Sequence, residues 1–248
     1  MTTDPRNFIE SAELGNIEES VAGIEAPGLN LDQLPPAVVS GTTLIDFSQV
    51  PSMAVRAGVS EAMLFASRVA TTSMTGDDDE DDWLAAYTSN LSNLGFNVAG
   101  TAITKSTFKK TGVEVHKAII PFLTIAFGGA AIGPVILAGL KNLQDMNADQ
   151  PWITLFDRET RRFNASEMHF AAVSSTNIDT TIRYAVARLH VQQQTTSILF
   201  FKLTKAEAEF ESSTKTLTAN NSLLALMESA LRTKLAALAT SFIAEAKL

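Results

Sequence analysis

The sequence predicts an α+β protein: a helical N-terminal and central part with a buried apolar hairpin, then an antiparallel β-meander, then a long C-terminal helix. Three observations carry this. Between Lys117 and Lys141 run 23 residues without a charge. From Trp152 to Leu217 apolar residues recur largely at every second position, and from Leu224 to Phe242 at every third or fourth. The first spacing lines one face of a strand and the second lines one side of a helix.

A chain of 248 residues, 46% apolar and 19% charged, has the composition of a globular protein with a sizeable core. Cysteine is absent, which removes disulfides, thiolate metal sites and a cysteine nucleophile. The first 30 residues show no basic region followed by an apolar run. No cleaved secretory signal is expected, so the chain reads as a soluble form, cytoplasmic or released without a cleaved signal peptide. The net charge of −8 is uneven: residues 1–100 carry 15 acidic and 3 basic side chains, and residues 101–248 carry 12 and 16. This balance argues against nucleic acid as a partner, since phosphate attraction needs a basic excess. The basic half either meets an acidic surface or is complemented by the acidic half.

Residues 1–55 read as an extended arm and 56–248 as a single α+β domain, helical over 56–146, a sheet over 152–217 and a helix over 220–248. Leu34-Pro35-Pro36 keeps the arm extended, with an edge strand expected near 43–48. Helices begin after Gly58, where Ser60 can cap a segment whose apolar side is Met63, Leu64, Ala66 and Val69. The acidic run Asp77–Asp82 feeds a second helix through Trp83, Tyr87, Leu91 and Leu94, stopped by Gly95. Strands are expected at Trp152–Phe156, Arg161–Phe163, Met168–Ser174, Thr181–Val191, Ser197–Leu203 and Glu207–Leu217. In the last, Glu207, Glu209 and Glu211 alternate with Ala208, Phe210 and Ser212, the pattern of a strand with one wet face. A helix is the alternative for 205–212. Leu224, Met227, Leu231, Leu235, Leu238 and Phe242 form the stripe of the C-terminal helix.

The charge-free segment 118–140 has the length of a membrane-spanning helix, yet it contains Pro121, Pro134, Gly128, Gly129, Gly133 and Gly139. A break at Gly128-Gly129 gives two halves of core-helix length. Three readings stay open: a static core hairpin, a hairpin stored in the fold and released into a bilayer, and a permanent anchor. The residues that would insert are Ile119, Ile120, Phe122, Leu123, Ile125, Phe127, Gly128, Gly129, Ile132, Val135, Ile136, Leu137 and Leu140.

Catalytic patterns are weak. His116, His169 and His190 lie outside metal-ligand spacing of one another. Ser212-Ser213-Thr214-Lys215 and Ser106-Thr107-Phe108-Lys109 match Ser-x-x-Lys by chance, and the run from Asp77 lacks the Gly and Glu of a calcium loop. Its carboxylates instead suit the positive end of a helix, and their mutual repulsion offers an acid-sensitive group. Arg158, Arg161 and Arg162 gather at an expected hairpin tip, where they offer a recognition surface for a lipid headgroup or an acidic partner. No cofactor and no metal are expected. The expected function is non-enzymatic and membrane-active, of the toxin or effector type and extending to pore formation, with a lipid membrane as partner. The alternative is a soluble interaction or assembly protein, including a homo-oligomer, in which 118–140 is simply core.

Overall fold

The computed structural model describes residues 4–16, 30–100, 104–108, 112–129, 133–143, 146, 150–160, 166–190, 198–200 and 208–247. Its strands are β1 (Ala37–Ser40), β2 (Thr43–Gln49), β3 (Asn97–Gly100), β4 (Thr104–Phe108), β5 (Ser166–Ser175), β6 (Asp179–His190), β7 (Ala208–Asn220) and β8 (Ile243–Glu245). They form one sheet in the order β3-β7-β6-β5-β2-β1-β8, with β4 also paired to β7. The helices are α1 (Pro5–Ser11), α2 (Met53–Ser73), α3 (Glu80–Asn93), α4 (Val115–Ala126), α5 (Pro134–Asn142), α6 (Pro151–Thr160), α7 (Asn221–Leu235) and α8 (Ala239–Phe242). The α+β class and the long C-terminal helix of the sequence reading are both present.

Successive side chains of a strand point to opposite faces, so two neighbours on β5 show which helices cover which side. The His169 ring meets Trp83 of α3 at 5.3 Å, while the Phe170 ring meets Phe156 of α6 at 5.8 Å. Helices therefore lie on both faces. On the His169 face α2 packs on α3 and α7; on the Phe170 face lie α4, α5 and α6, with α5 on β2 and α4 on β6.

The meander β5-β6-β7 is antiparallel, as the period of two predicts. One pairing departs from the expectation. β2 runs parallel to β5, from Thr43↔His169 to Gln49↔Ser174, and the sheet is mixed. Parallel neighbours need a long crossover, and the helices between Met53 and Thr160 supply it. The strand expected near 43–48 exists, but it sits inside the sheet between β1 and β5 instead of at an edge.

Other expectations are corrected by local chemistry. Residues 151–160 are helical, with Trp152, Ile153, Leu155, Phe156, Glu159 and Thr160 buried. These positions also satisfy a spacing of three and four, and over so short a run the two periods cannot be told apart. Pro151, with its fixed φ, favours the first position of a helix. Arg161–Phe163 lies outside the described residues. Of the strand expected at 197–203, residues 198–200 form a turn and the others lie outside the described residues. The first long helix starts at Met53, capped by Ser52, whose Oγ accepts the Val55 N–H at 3.3 Å; Ser60 is buried within it. The C-terminal stripe is one helix only to Leu235. A turn and α8 then keep Leu238 and Phe242 buried, and β8 adds antiparallel to β1.

Candidate functional site

The charge-free segment folds as a helical hairpin. On α4 the buried positions are Val115, His116, Ile119 and Leu123, continued by Phe127 in the turn, a stripe at spacings of three and four. Ile120 and Phe122 are half-buried, Pro121 is exposed, and Ile125 is 81% exposed. Pro121 is tolerated on this outer side, where the carbonyl it frees can reach water. On α5, Ile136, Leu137, Gly139 and Leu140 are buried and Val135 is half-buried. The break falls where the glycines predict it. Gly128, Gly129 and Gly133 have φ of +78°, +115° and +75°, a region that disfavours side chains. Ile132 lies outside the described residues.

Among the described residues, Asp46 and His116 tie the hairpin to the body. Asp46 of β2 is buried, and its Oδ2 accepts the Val135 and Ile136 N–H groups at 2.8 and 3.1 Å while Oδ1 accepts the Ser48 N–H at 2.8 Å. A carboxylate thus caps the N-terminus of α5 from the sheet. At the start of α4, the His116 backbone N–H donates to the Leu199 carbonyl at 3.1 Å, and its ring Nδ1 lies 2.7 Å from the same oxygen. The 198–200 turn is itself held by Asp157 of α6, whose Oδ1 accepts the Ile198 N–H at 3.0 Å.

Of the three arginines expected at a hairpin tip, Arg161 and Arg162 lie outside the described residues. Arg158 is in the last turn of α6, bonded to Glu159 at 2.9 Å, with its guanidinium 5.0 Å from the centre of the Phe242 ring. It sits on a helix and not at a turn, because 151–160 does not form the strand the hairpin needs.

A second arrangement is one the sequence reading missed. On the α3 face, Glu167, Arg188 and Glu211 stand in one cross-strand row. Arg188 donates to Glu167 Oε2 through Nε (2.8 Å) and Nη2 (2.6 Å), and through Nη1 to Glu211 (3.0 Å) and Asp81 of α3 (2.9 Å). Glu167 Oε1 lies 2.6 Å from His169 Nε2, and His169 Nδ1 meets the Tyr184 hydroxyl. A proton on Nε2 satisfies the carboxylate and leaves Nδ1 to accept from Tyr184. Trp83 stacks on Tyr87 at 5.1 Å above this row.

Burial pushes the Glu167 carboxyl up, but His169 and Arg188 outweigh it and hold the group below the ordinary carboxylate value. Burial likewise works against the Arg188 charge, and the surrounding carboxylates win, raising its pKa. Tyr184 and Tyr87 are both pushed above the ordinary phenol value by burial. The row is sealed. His169 and Tyr184 are each 1% exposed, and the cavity beside Arg188 and Ser213 has about 10 Å³, room for one water. Its visible work is to hold α3 against the sheet. Glu211, expected on a wet face, is buried because Arg188 and α3 cover it.

Four carboxylates of the acidic run have defined partners. Asp78 accepts from the Thr75 N–H and Oγ at 2.6 and 2.9 Å. Asp79 and Asp82 form the capping box of α3, and Asp81 reaches Arg188. Among the described residues no three His, Asp or Glu side chains are placed to hold a metal ion, and no helix is long and apolar enough to cross a membrane.

No family model and no curated protein matches the chain. Among solved structures, a delta-endotoxin aligns over 79% of this chain and 89% of its own at 13% identity, with a TM-score of 0.41. The structure of the Evf virulence factor aligns over 90% and 88% at 15% identity, with a TM-score of 0.36. With agreement this low, the functional reading rests on the chain's own residues.

Proposed function

We propose that the chain is a membrane-active protein of the toxin or effector type, without an enzymatic step, in which the α4–α5 hairpin leaves the sheet and seats in a lipid leaflet. One observation carries the reading: the longest charge-free segment of the chain is folded as two helices that pack on each other and on one face of the sheet, with Lys117 and Lys141 at their outer ends. The 12 residues of α4 and the 9 of α5 make helices about 18 and 14 Å long. Each covers roughly half of a 30 Å hydrocarbon core. A re-entrant wedge in one leaflet fits these lengths, with both lysines left at the headgroups.

The balance of terms favours lipid over water as the destination. Val115, Ile119, Leu123, Phe127, Ile136, Leu137 and Leu140 are all at most 4% exposed, and each costs about 1.5–3 kcal/mol to expose to water. Acyl chains replace that environment. Ile125 already projects from the hairpin and makes the first contact.

Dye release from vesicles between about pH 5 and 7.5, a span that brackets histidine titration, tests the proposal with wild type and Ile125→Asp. Because Ile125 is 81% exposed, the substitution should change stability by no more than about 0.5 kcal/mol. An aspartate carried into the leaflet costs about 2.5–3.5 kcal/mol, so leakage should fall sharply. Wild type that releases no dye from any vesicle removes the reading, and undiminished leakage by the variant removes the hairpin from it.

The alternative, an interaction or assembly protein with 118–140 as core, is favoured by the complete burial of Ile119, Leu123, Phe127, Ile136 and Leu140. Light scattering over a dilution series separates the two, since self-assembly retains mass without lipid.

A further inference from the structure

We propose that His116 is an acid-sensitive catch on the hairpin: a second proton on its ring loosens the first turn of α4 from the 198–200 turn. The inference supplies a trigger for the insertion reading and rests on that reading for its use.

The geometry is specific. The His116 ring is fully buried, and Nδ1–H donates to the Leu199 carbonyl at 2.7 Å. Nε2 is buried too and has no hydrogen-bond partner among the described residues. The ring is therefore held neutral, with its one proton used. Protonating Nε2 would place a second N–H and a full charge beside the Phe200 ring, whose centre is 6.1 Å away, in a buried spot where no described residue offers an acceptor. Burial lowers the His116 pKa; the Leu199 carbonyl and Glu114 oppose this and Lys117 adds to it, the net effect being downward.

Among the described residues the charged surroundings do not supply an escape. Glu114 and Lys117 on the same helix are paired with each other at 2.9 Å. Across the packed elements, α5 brings Lys141 in its exposed last turn, and β6 brings Arg183, which lies under Gly128 at the far end of α4. Asp157 of α6 accepts the Ile198 N–H. For a group whose folded pKa is depressed below its unfolded value of 6.5, stability is full above 6.5 and is lost as pH falls below it toward the folded value. The catch therefore opens in mild acid, and in the part of the molecule that carries the hairpin.

Hydrogen exchange of the full chain without lipid, at pH 7.5 and 5.5 and corrected for intrinsic rates, tests the catch. In wild type the amides of residues 115–123 should lose protection several-fold, up to about tenfold, at pH 5.5 relative to those of β7. His116→Asn keeps an N–H near Nδ1 and takes up no proton, so this pH-dependent loss should disappear. An equal loss in both proteins, or none in wild type, overturns the proposal. If the variant does not fold, nitrogen NMR of the wild-type imidazoles decides: His116 must titrate together with the loss of protection, and loss while His116 stays neutral overturns it. Opening without vesicle leakage at either pH leaves the catch in place and removes the membrane reading instead. Leakage that is equal at the two pH values, with exchange unchanged, removes the catch alone.

Discussion

Removing the Asp46 carboxylate should release α5 from the sheet and leave the rest of the fold in place. In Asp46→Ala the Val135 and Ile136 N–H groups, now bonded at 2.8 and 3.1 Å, lose an acceptor at a partly covered helix start, and the Ser48 N–H loses its partner at 2.8 Å. Hydrogen bonds to a charged group contribute about 1.5–3 kcal/mol each, but a helix cap removed as a unit costs only about 0.5–2. Burial of Asp46, at 1% exposed, moves the expected loss to the top of that range and beyond, about 3 kcal/mol. For a chain of this length that is roughly 6–12 °C in Tm. Asp46→Asn keeps one carbonyl oxygen but turns an NH2 toward one of the donors, so about half the loss is expected. Urea unfolding gives the total, and hydrogen exchange places it: α5 amides should open before those of β5 and β6. A loss below about 0.5 kcal/mol, or one spread evenly over hairpin and sheet, would refute the latch.

Three further outcomes are expected. Arg188→Met should cost about 3–5 kcal/mol at pH 7.5 in urea unfolding, because Glu167 and Glu211 are left buried without their cation. The deficit should shrink toward pH 4 as those carboxyls take protons, and a flat profile would be inconsistent with the network. Gly128→Ala should cost about 1–2 kcal/mol, since φ is +78° and a methyl would stand 2.4 Å from the Arg183 guanidinium; unchanged thermal stability would deny the turn its conformation. Glu61, buried in α2 beside Arg232 at 3.3 Å, has its carboxyl pushed from 4.5 to about 7, chiefly by burial. Its contribution is therefore full below 4.5 and lost as pH rises through 7. Glu61→Gln should flatten that decline, which amounts to roughly 3 kcal/mol over the 4.5-to-7 shift; a variant that declines as steeply as wild type would contradict this.

What the sequence revealed and what it hid follow one physical division. Local signals were legible. Gly95 and Gly128 mark chain reversals by their positive φ, and Asp79 and Asp82 cap α3 within their own run. Long strands showed their period because β5, β6 and β7 each extend over ten residues or more. Partners far apart in the chain were not legible. Asp46 looks like any acidic residue until β2 lies beneath Val135, and His169 looks solitary until Glu167, Tyr184 and Arg188 converge on one face. The alternation Glu167, His169 on β5 and Tyr184, Arg188 on β6 was the available signal, since each pair shares a strand face. A parallel pairing such as β2–β5 leaves no local trace at all.

Which helix could enter lipid is decided by what each would carry with it. Among the described residues α2 is the longest helix, 21 residues and about 32 Å, the length of a bilayer core. Its buried face, however, includes Arg56, Glu61 and Arg68. Arg56 donates to the Val50 and Leu34 carbonyls at 2.7 Å, and Glu61 is paired with Arg232. Taking those three into hydrocarbon costs about 2.5–3.5 kcal/mol each even on the lenient insertion scale, besides the partners left behind. α3 would abandon Arg188 and its carboxylates in the same way. The hairpin gives up much less. Its buried side chains are aliphatic or phenyl except for His116, and Asp46 stays with the sheet when α5 leaves. Mild acid weakens the His116 contact and strengthens the region around Glu61, while Glu167, held below the ordinary carboxylate value, gives up its contribution only as pH falls below 4.5. On the proposed insertion reading, a lipid surface at mildly acidic pH would favour α4 and α5 over the longer helix on the other face, because acid loosens the His116 contact while the Glu61 region holds α2 in place.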